Sequence, residues 1–232
     1  MIFMKKIFLE DEPDLEIFLR RNSNSRRITL RISALDGKIT ITGPNYINFK
    51  EFKEFAESKK SWLKSKRKSF EPPILVSEGV KIPIGGIDTE ISLSDIQNPK
   101  KVGSILFVCK QKPVSTQVNR YLKEICRQHL DFICKGFAER LGSKVRKITL
   151  RDTRSRWGSC SNDGKLMFSW RLIMAPENIL AYVAAHEVAH LKHMDHSNDF
   201  WETVEYLFGP YKNERTWLKH NGSSLHRYKF ES

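Results

Sequence analysis

The chain has 232 residues, with 40 Lys+Arg against 27 Asp+Glu for a net charge of +13, and is 40% hydrophobic and 11% aromatic. That much apolar material excludes wholesale disorder, and the length suits one ordinary domain with a smaller one attached. No apolar run reaches the ~18 residues of a membrane span, so no membrane partner is expected.

Lys5-Lys6 opens the chain like a secretory leader. Only Ile7-Phe8-Leu9 follow before Glu10-Asp11-Glu12, so the apolar stretch of a leader is missing. Cys109, Cys126, Cys134 and Cys160 are scattered and form no CxxC pair, which points to a reduced, cytoplasmic protein. Charge is uneven. Residues 1–146 carry 28 Lys+Arg against 17 Asp+Glu, and residues 147–232 carry 12 against 10. The basic excess belongs to the front.

Arg26 to Ile32 and Lys38 to Thr42 alternate polar and apolar residues around Asp36-Gly37, which predicts a β-hairpin with one apolar face. Residues 48–67 carry Phe49, Phe52, Phe55 and Trp62-Leu63 at helical spacing. The tail of that helix, Lys59 to Lys68, has six cations, no acid and Trp62 among them, so it could contact nucleic-acid phosphates or remain a solvated face. Residues 71–112 read as short strands broken by Pro72-Pro73, Pro83, Gly85-Gly86 and Asn98-Pro99. Pro113 opens a long helix through Val118, Leu122, Ile125, Ile133 and Phe137, which Gly142 stops. The expected division is a basic, β-rich domain of residues 1–112 and a second domain of residues 113–232, in an α+β fold.

The second domain begins with a strand from Val145 to Arg151. Further strands are predicted over Ser155–Cys160 and Lys165–Trp170, around the turn Ser161-Asn162-Asp163-Gly164. Pro176 starts a helix of about residues 176–192. Ser197 can cap the next, which carries Phe200, Val204 and Leu207 and stops at Gly209-Pro210. A last helix covers residues 211–220.

The 176–192 helix contains His186-Glu187-Val188-Ala189-His190, the H-E-x-x-H pattern. Residues four apart on a helix lie ~40° apart in azimuth and ~6 Å along the axis, so both imidazoles can reach one ion. Glu187, ~100° around from His186, meets the ion's water rather than the ion. A catalytic zinc takes three protein ligands. His196 can supply the third if the chain turns sharply after the helix; His193, three residues past His190, competes for that place. The His186–His190–His196 spacing is that of metzincins, but His193 stands where they have Gly, and no Met follows residue 196. The expected cofactor is one Zn2+ ion. It would lower the pKa of a water molecule to ~7, with Glu187 as the general base. Arg154, Arg156, Tyr206 and Tyr211 are candidates, by reach, for stabilising the oxyanion; each has a plain structural alternative as a core Tyr or a solvated Arg.

Arg151 to Ser161 (Arg-Asp-Thr-Arg-Ser-Arg-Trp-Gly-Ser-Cys-Ser), Trp170 to Pro176, His186 to Leu191, and His196-Ser197 with Phe200-Trp201 together resemble the YgjP-like metallopeptidases, relatives of the WLM and SprT zinc proteases. The front hairpin and Trp62 share the likeness. The resemblance implies a minimal zincin-like domain, a small twisted sheet over the H-E-x-x-H helix. It also implies His186, His190 and His196 as ligands, Glu187 as the catalytic residue, and a peptide or protein substrate. The cysteine ribbon that SprT-like proteins often add has no counterpart after Cys160. WLM and SprT relatives act on DNA-bound proteins, which adds to the nucleic-acid reading of residues 59–68. The Arg-Trp-Gly-Ser-Cys run reads as an edge strand beside the metal-binding helix, with Gly158 allowing close approach, or simply as packing around Trp157. An alternative activity is metal-dependent hydrolysis of small anions such as nucleotides, drawn by the basic front. A structural zinc site is the third reading, and Glu187 argues against it.

Overall fold

A computed structural model describes residues 5–33, 36–68 and 72–230 and divides the chain into two compact units, Met1–Pro73 and Ile74–Ser232.

In the first unit, β1 (Lys6–Leu9) and β2 (Glu12–Arg21) form an antiparallel hairpin, while β3 (Thr29–Ile32) and β4 (Ile39–Gly43) form the expected second one. β2 and β4 pair in parallel, giving the sheet order β1-β2-β4-β3. Ile7, Leu15, Ile17, Ile39 and Ile41 alternate onto one face, where Phe52, Ala56 and Leu63 cover them. Those three come from α1 (Phe49–Ser58) and α2 (Lys60–Lys68), two helices where the spacing predicts one. Asn48 starts α1 with a capping box: its Oδ1 accepts from Glu51 N–H at 2.9 Å, and the Glu51 carboxylate accepts from Asn48 N–H at 3.2 Å. The cations of the 59–68 run are partly engaged. Lys60 pairs with Asp11, and Lys64 pairs with Glu12 at 2.7 Å. The side chains of Arg67 and Lys68 lie outside the described residues.

The second unit opens with β5 (Ile74–Leu75), β6 (Lys81–Ile84), β7 (Ile87–Ser94), β8 (Lys100–Val102) and β9 (Ile105–Cys109). The last four form a sheet in the order β6-β7-β9-β8. The long helix α3 (Val114–Arg140) follows, then β10 (Lys147–Arg151), β11 (Gly158–Cys160) and β12 (Lys165–Ser169). A 3-10 turn, Trp170–Met174, leads into α4 (Glu177–Ala189), α5 (Asn198–Phe208) and α6 (Lys212–Asn221). A second 3-10 turn, Gly222–His226, and β13 (Tyr228–Lys229) complete the unit, with β13 parallel to β5.

The boundary expected at 112/113 thus lies between Pro73 and Ile74. A four-stranded sheet cannot bury its apolar face unaided. Ile82, Ile91, Leu106 and Val108 share one core with Val118 and Leu122 of α3 and Val183 of α4. The β6–β7 turn is also pinned to the 3-10 turn: Gly85 N–H donates to Ile173 O at 2.8 Å.

β10 and β12 pair in parallel, and β11 pairs antiparallel with β12 only, so β11 is the edge of a small three-stranded sheet. α4 is buried on nearly every side, by Ile179, Leu180, Tyr182, Val183, Ala184 and Ala185 among others. It is a central helix, apolar on almost all of its faces. Mixed α/β architecture therefore holds for the unit, with α4 at its centre. No helix among the described residues is long and apolar enough to cross a membrane.

Candidate metal centre

α4 ends at Ala189, three residues short of the expected end, and His190 is its C-cap with helical backbone (φ −64, ψ −13). The four-residue spacing of His186 and His190 therefore keeps its helical geometry. The chain then doubles back: Leu191 N–H donates to Val188 O at 2.9 Å and His193 N–H to Ala189 O at 3.1 Å. Asp195 Oδ1 accepts from Ser197 N–H and Oγ–H at 3.2 and 2.7 Å, which sets the entry into α5. Ser197 occupies the N-cap, but its hydroxyl is spent on Asp195 rather than on the helix.

This turn returns His196 to α4. The ring centroids of His186, His190 and His196 lie 4.9–5.2 Å apart, and one ligating nitrogen of each falls within 4.8 Å of the others. It is the one such group of three among the described residues. His186 Nε2 and His196 Nε2 are 3.3 Å apart. Two ligands held at ~2.0–2.1 Å by a tetrahedral ion stand ~3.3–3.4 Å from each other, so the spacing fits a metal ion of that geometry. Two facing lone pairs at that distance are stabilised by a proton on one ring or by a cation between them.

The surroundings fix the rings. His190 Nδ1–H donates to His193 O at 2.8 Å, which leaves Nε2 as the lone-pair nitrogen. His193 thus contributes its carbonyl, and its ring is outside the cluster. Phe200, fully buried on α5, contacts all three imidazoles at 4.5–4.9 Å between centroids. Burial, then the neighbouring rings, pushes His186 down to about 3, and burial lowers His190 too. Both are held in the neutral form that ligation requires. His186 Nδ1 is buried without a hydrogen-bond partner among the described residues. His196 is exposed, so the cluster opens to solvent on its side.

Glu187 is only 5% exposed, and burial pushes its carboxyl up to about 8 against the opposing charge of Arg156. Its carboxylate lies against β11. A Cβ on Gly158 would stand 2.5 Å from Glu187 Oε1, so any larger residue there would force the Glu187 side chain to shift. Gly158 is indeed on an edge strand at the helix. Trp157 sits beside it and packs near Gly222 and His226.

The four oxyanion candidates separate. Arg156 is exposed, with its charge acting on Glu187. Tyr211 stacks on Tyr182 at 5.8 Å and on Trp201 at 5.2 Å, one ring removed from His186. Arg154 acts on Asp152 and His226 instead. Tyr206 is 61% exposed under the Arg140 guanidinium and makes no ring contact with the three imidazoles. The sequence reading passed over two features: Phe200 as a floor, although it stands on the helix that directly follows His196, and His226, which is only 6% exposed.

A family model for the YgjP-like metallopeptidase domain matches residues 26–221. No curated protein matches the chain. Among solved structures, the chain is similar to the metallopeptidase zymogen of Pyrococcus abyssi abylysin, at 23% identity and a TM-score of 0.36, over 40% of this chain and 95% of that one. Since the family match runs through both units and takes in the whole histidine cluster, the chain belongs to the YgjP-like metallopeptidases and is a metal-dependent peptidase.

Proposed function

We propose that this peptidase is a zinc enzyme of minimal zincin type, with His186, His190 and His196 holding one Zn2+ and Glu187 carrying the proton. The observation that supports this most is the convergence of three imidazole nitrogens next to a buried carboxylate. When bound, zinc supplies Lewis acidity, polarising a substrate carbonyl and making water more acidic. Glu187 accepts a proton on its carboxylate and passes it to the leaving amine nitrogen. Burial raises its affinity for that proton, so it is a strong base once ionised, and Arg156, like a cation held by the three histidines, favours the ionised form. β11 is paired on one side only, and its backbone can take an extended peptide as an added strand along Gly158 to Cys160. That would lay a substrate next to Glu187, which touches Gly158.

Family membership supports peptide over nucleotide substrates. Recruitment of nucleic acid through residues 59–68 is a separate reading, weakened by the pairing of Lys60 and Lys64 with acids of the β1–β2 hairpin. The four cysteines are all unpaired, which suits a reducing cytoplasm.

The test is Glu187→Gln, assayed for zinc content and for turnover of a casein-like peptide. Zinc should stay at the wild-type level, and kcat should fall by about 10²–10⁴-fold. A zinc-loaded variant with wild-type turnover would remove Glu187 from the mechanism.

A further inference from the structure

We propose that Arg215, held over the Trp201 ring, selects substrates with a carboxylate close to the scissile bond; this rests on the peptidase reading above. Trp201 is half-buried at the start of α5, and its ring lies 5.6 Å from that of His186 and 5.8 Å from that of His196. α6 approaches it with two side chains one helical turn apart. Tyr211 stacks on the indole at 5.2 Å and 20°, and Arg215 Cζ stands 5.1 Å from the indole centroid. Arg215 N–H donates to Tyr211 O at 3.1 Å, which ties the pair together.

A guanidinium over an indole is oriented without being neutralised. Arg215 is exposed and forms no ion pair with a carboxylate among the described residues. Arg171 and Arg146 of the same unit do, with Asp152 and Asp163. The acids of α5 and α6 (Asp199, Glu202, Glu205 and Glu214) form no ion pair with it among the described residues; one Glu214 oxygen accepts from Asn178 and the other is buried without a partner. An exposed guanidinium that is oriented but not paired stays available to a carboxylate of the substrate. The planar fork of Arg215, preset by the indole, fits a carboxylate through two N–H donors. That carboxylate can be an Asp or Glu side chain of the peptide or its free C-terminus; both present the same group.

The experiment uses the zinc-loaded full chain and a peptide series with Glu, Gln or Lys placed in turn at each of three positions on either side of the cleaved bond. Each peptide is made with a free and an amidated C-terminus. The readout is the ratio of kcat/KM for Glu over Gln, and for free over amidated. Wild type should favour the carboxylate about tenfold at one position, as expected for a charge-assisted hydrogen bond partly exposed to water. A preference for Glu marks a side chain as the ligand, and a preference for the free end marks the C-terminus. Arg215→Ala should bring the ratio to about 1, Arg215→Lys should keep part of it, and Arg215→Glu should turn a Glu preference into one for Lys. Zinc content and circular dichroism check that each variant is folded, and the wild-type ratio stands without any variant. Cleavage with no carboxylate preference, or a preference that survives Arg215→Glu, overturns the inference alone. If no peptide is cleaved, the peptidase reading goes with it.

Discussion

Gly158 shows how little room the site leaves. Adding one methyl group there places a carbon 2.5 Å from Glu187 Oε1 and 2.5 Å from its Cγ. Glu187 is 5% exposed and packed on its other sides, so the carboxylate must shift. The three atoms nearest that methyl group all belong to Glu187 and none to an imidazole. Gly158→Ala should therefore keep zinc and lose about 10²-fold in kcat, the cost of misplacing a catalytic group by roughly 1 Å. Parallel zinc analysis and turnover measurements check this, and full turnover in the variant would show that Glu187 has freedom to move. His226 gives a second prediction at this scale. It is 6% exposed, and burial pushes it down to about 4, with Arg171, Arg154 and Lys229 acting in the same direction and Asp152 opposing them. Its folded pKa is below its unfolded value of 6.5, so the unfolded chain binds the proton more readily. The stability it contributes is complete above about pH 6.5 and drains away as pH falls toward about 4, by on the order of 3 kcal/mol. Urea unfolding at pH 4.5 and 7.5 should show His226→Gln with the smaller pH difference; an equal difference would assign the pH dependence to other groups.

Elements are held together by a few side chains whose partners lie far along the chain. Arg171, on the 3-10 turn before α4, is 6% exposed. Its Nε and Nη2 donate to the two Asp152 oxygens at 2.7 and 3.0 Å, and its Nη1 donates to Leu225 O and Tyr228 O at 2.8 and 3.1 Å. One guanidinium thus fastens β10, the turn into α4 and the last strand. Burial pushes Asp152 up, but the hydrogen bonds and charge of Arg171 outweigh it and hold the carboxyl below its ordinary range. Lys cannot reproduce the fork, so Arg171→Lys should destabilise the chain by about 2–4 kcal/mol. Chemical denaturation checks it, and an unchanged midpoint would show the clasp to be dispensable. Such links explain what the sequence could and could not tell. The β3–β4 hairpin was readable from alternation around Asp36-Gly37, and α3 from its periodicity and Gly142. His186, His190 and His196 were readable because their spacing is local geometry. β1 and β2 were missed although Leu15, Ile17 and Leu19 alternate inward, because their signal depends on a parallel partner, β4, that only the fold provides. The partners of Arg171 and the Phe200 floor are likewise set by tertiary packing.

At the scale of the whole molecule, the histidine cluster belongs to the second unit, and the net charge of +13 divides almost evenly, +6 over residues 1–73 and +7 over residues 74–232. The expected division at 112/113 differs from that of the compact units at 73/74, since turns and prolines mark strand ends as readily as domain ends. What assigns residues 74–112 to the second unit is the core they share with α3 and α4. The family match crosses this boundary, so both units are part of the family's architecture. Everything proposed about activity depends on the second unit holding one metal ion through three rings. Zinc titration against a competing chelator, on wild type and on His186→Ala, His190→Ala and His196→Ala, measures this directly. Wild type should bind one zinc per chain, and each replacement should weaken it by at least about 10²-fold, beyond what loss of a supporting partner alone produces. Wild-type affinity in His196→Ala, or more than one tightly bound zinc per chain, would contradict the three-histidine centre.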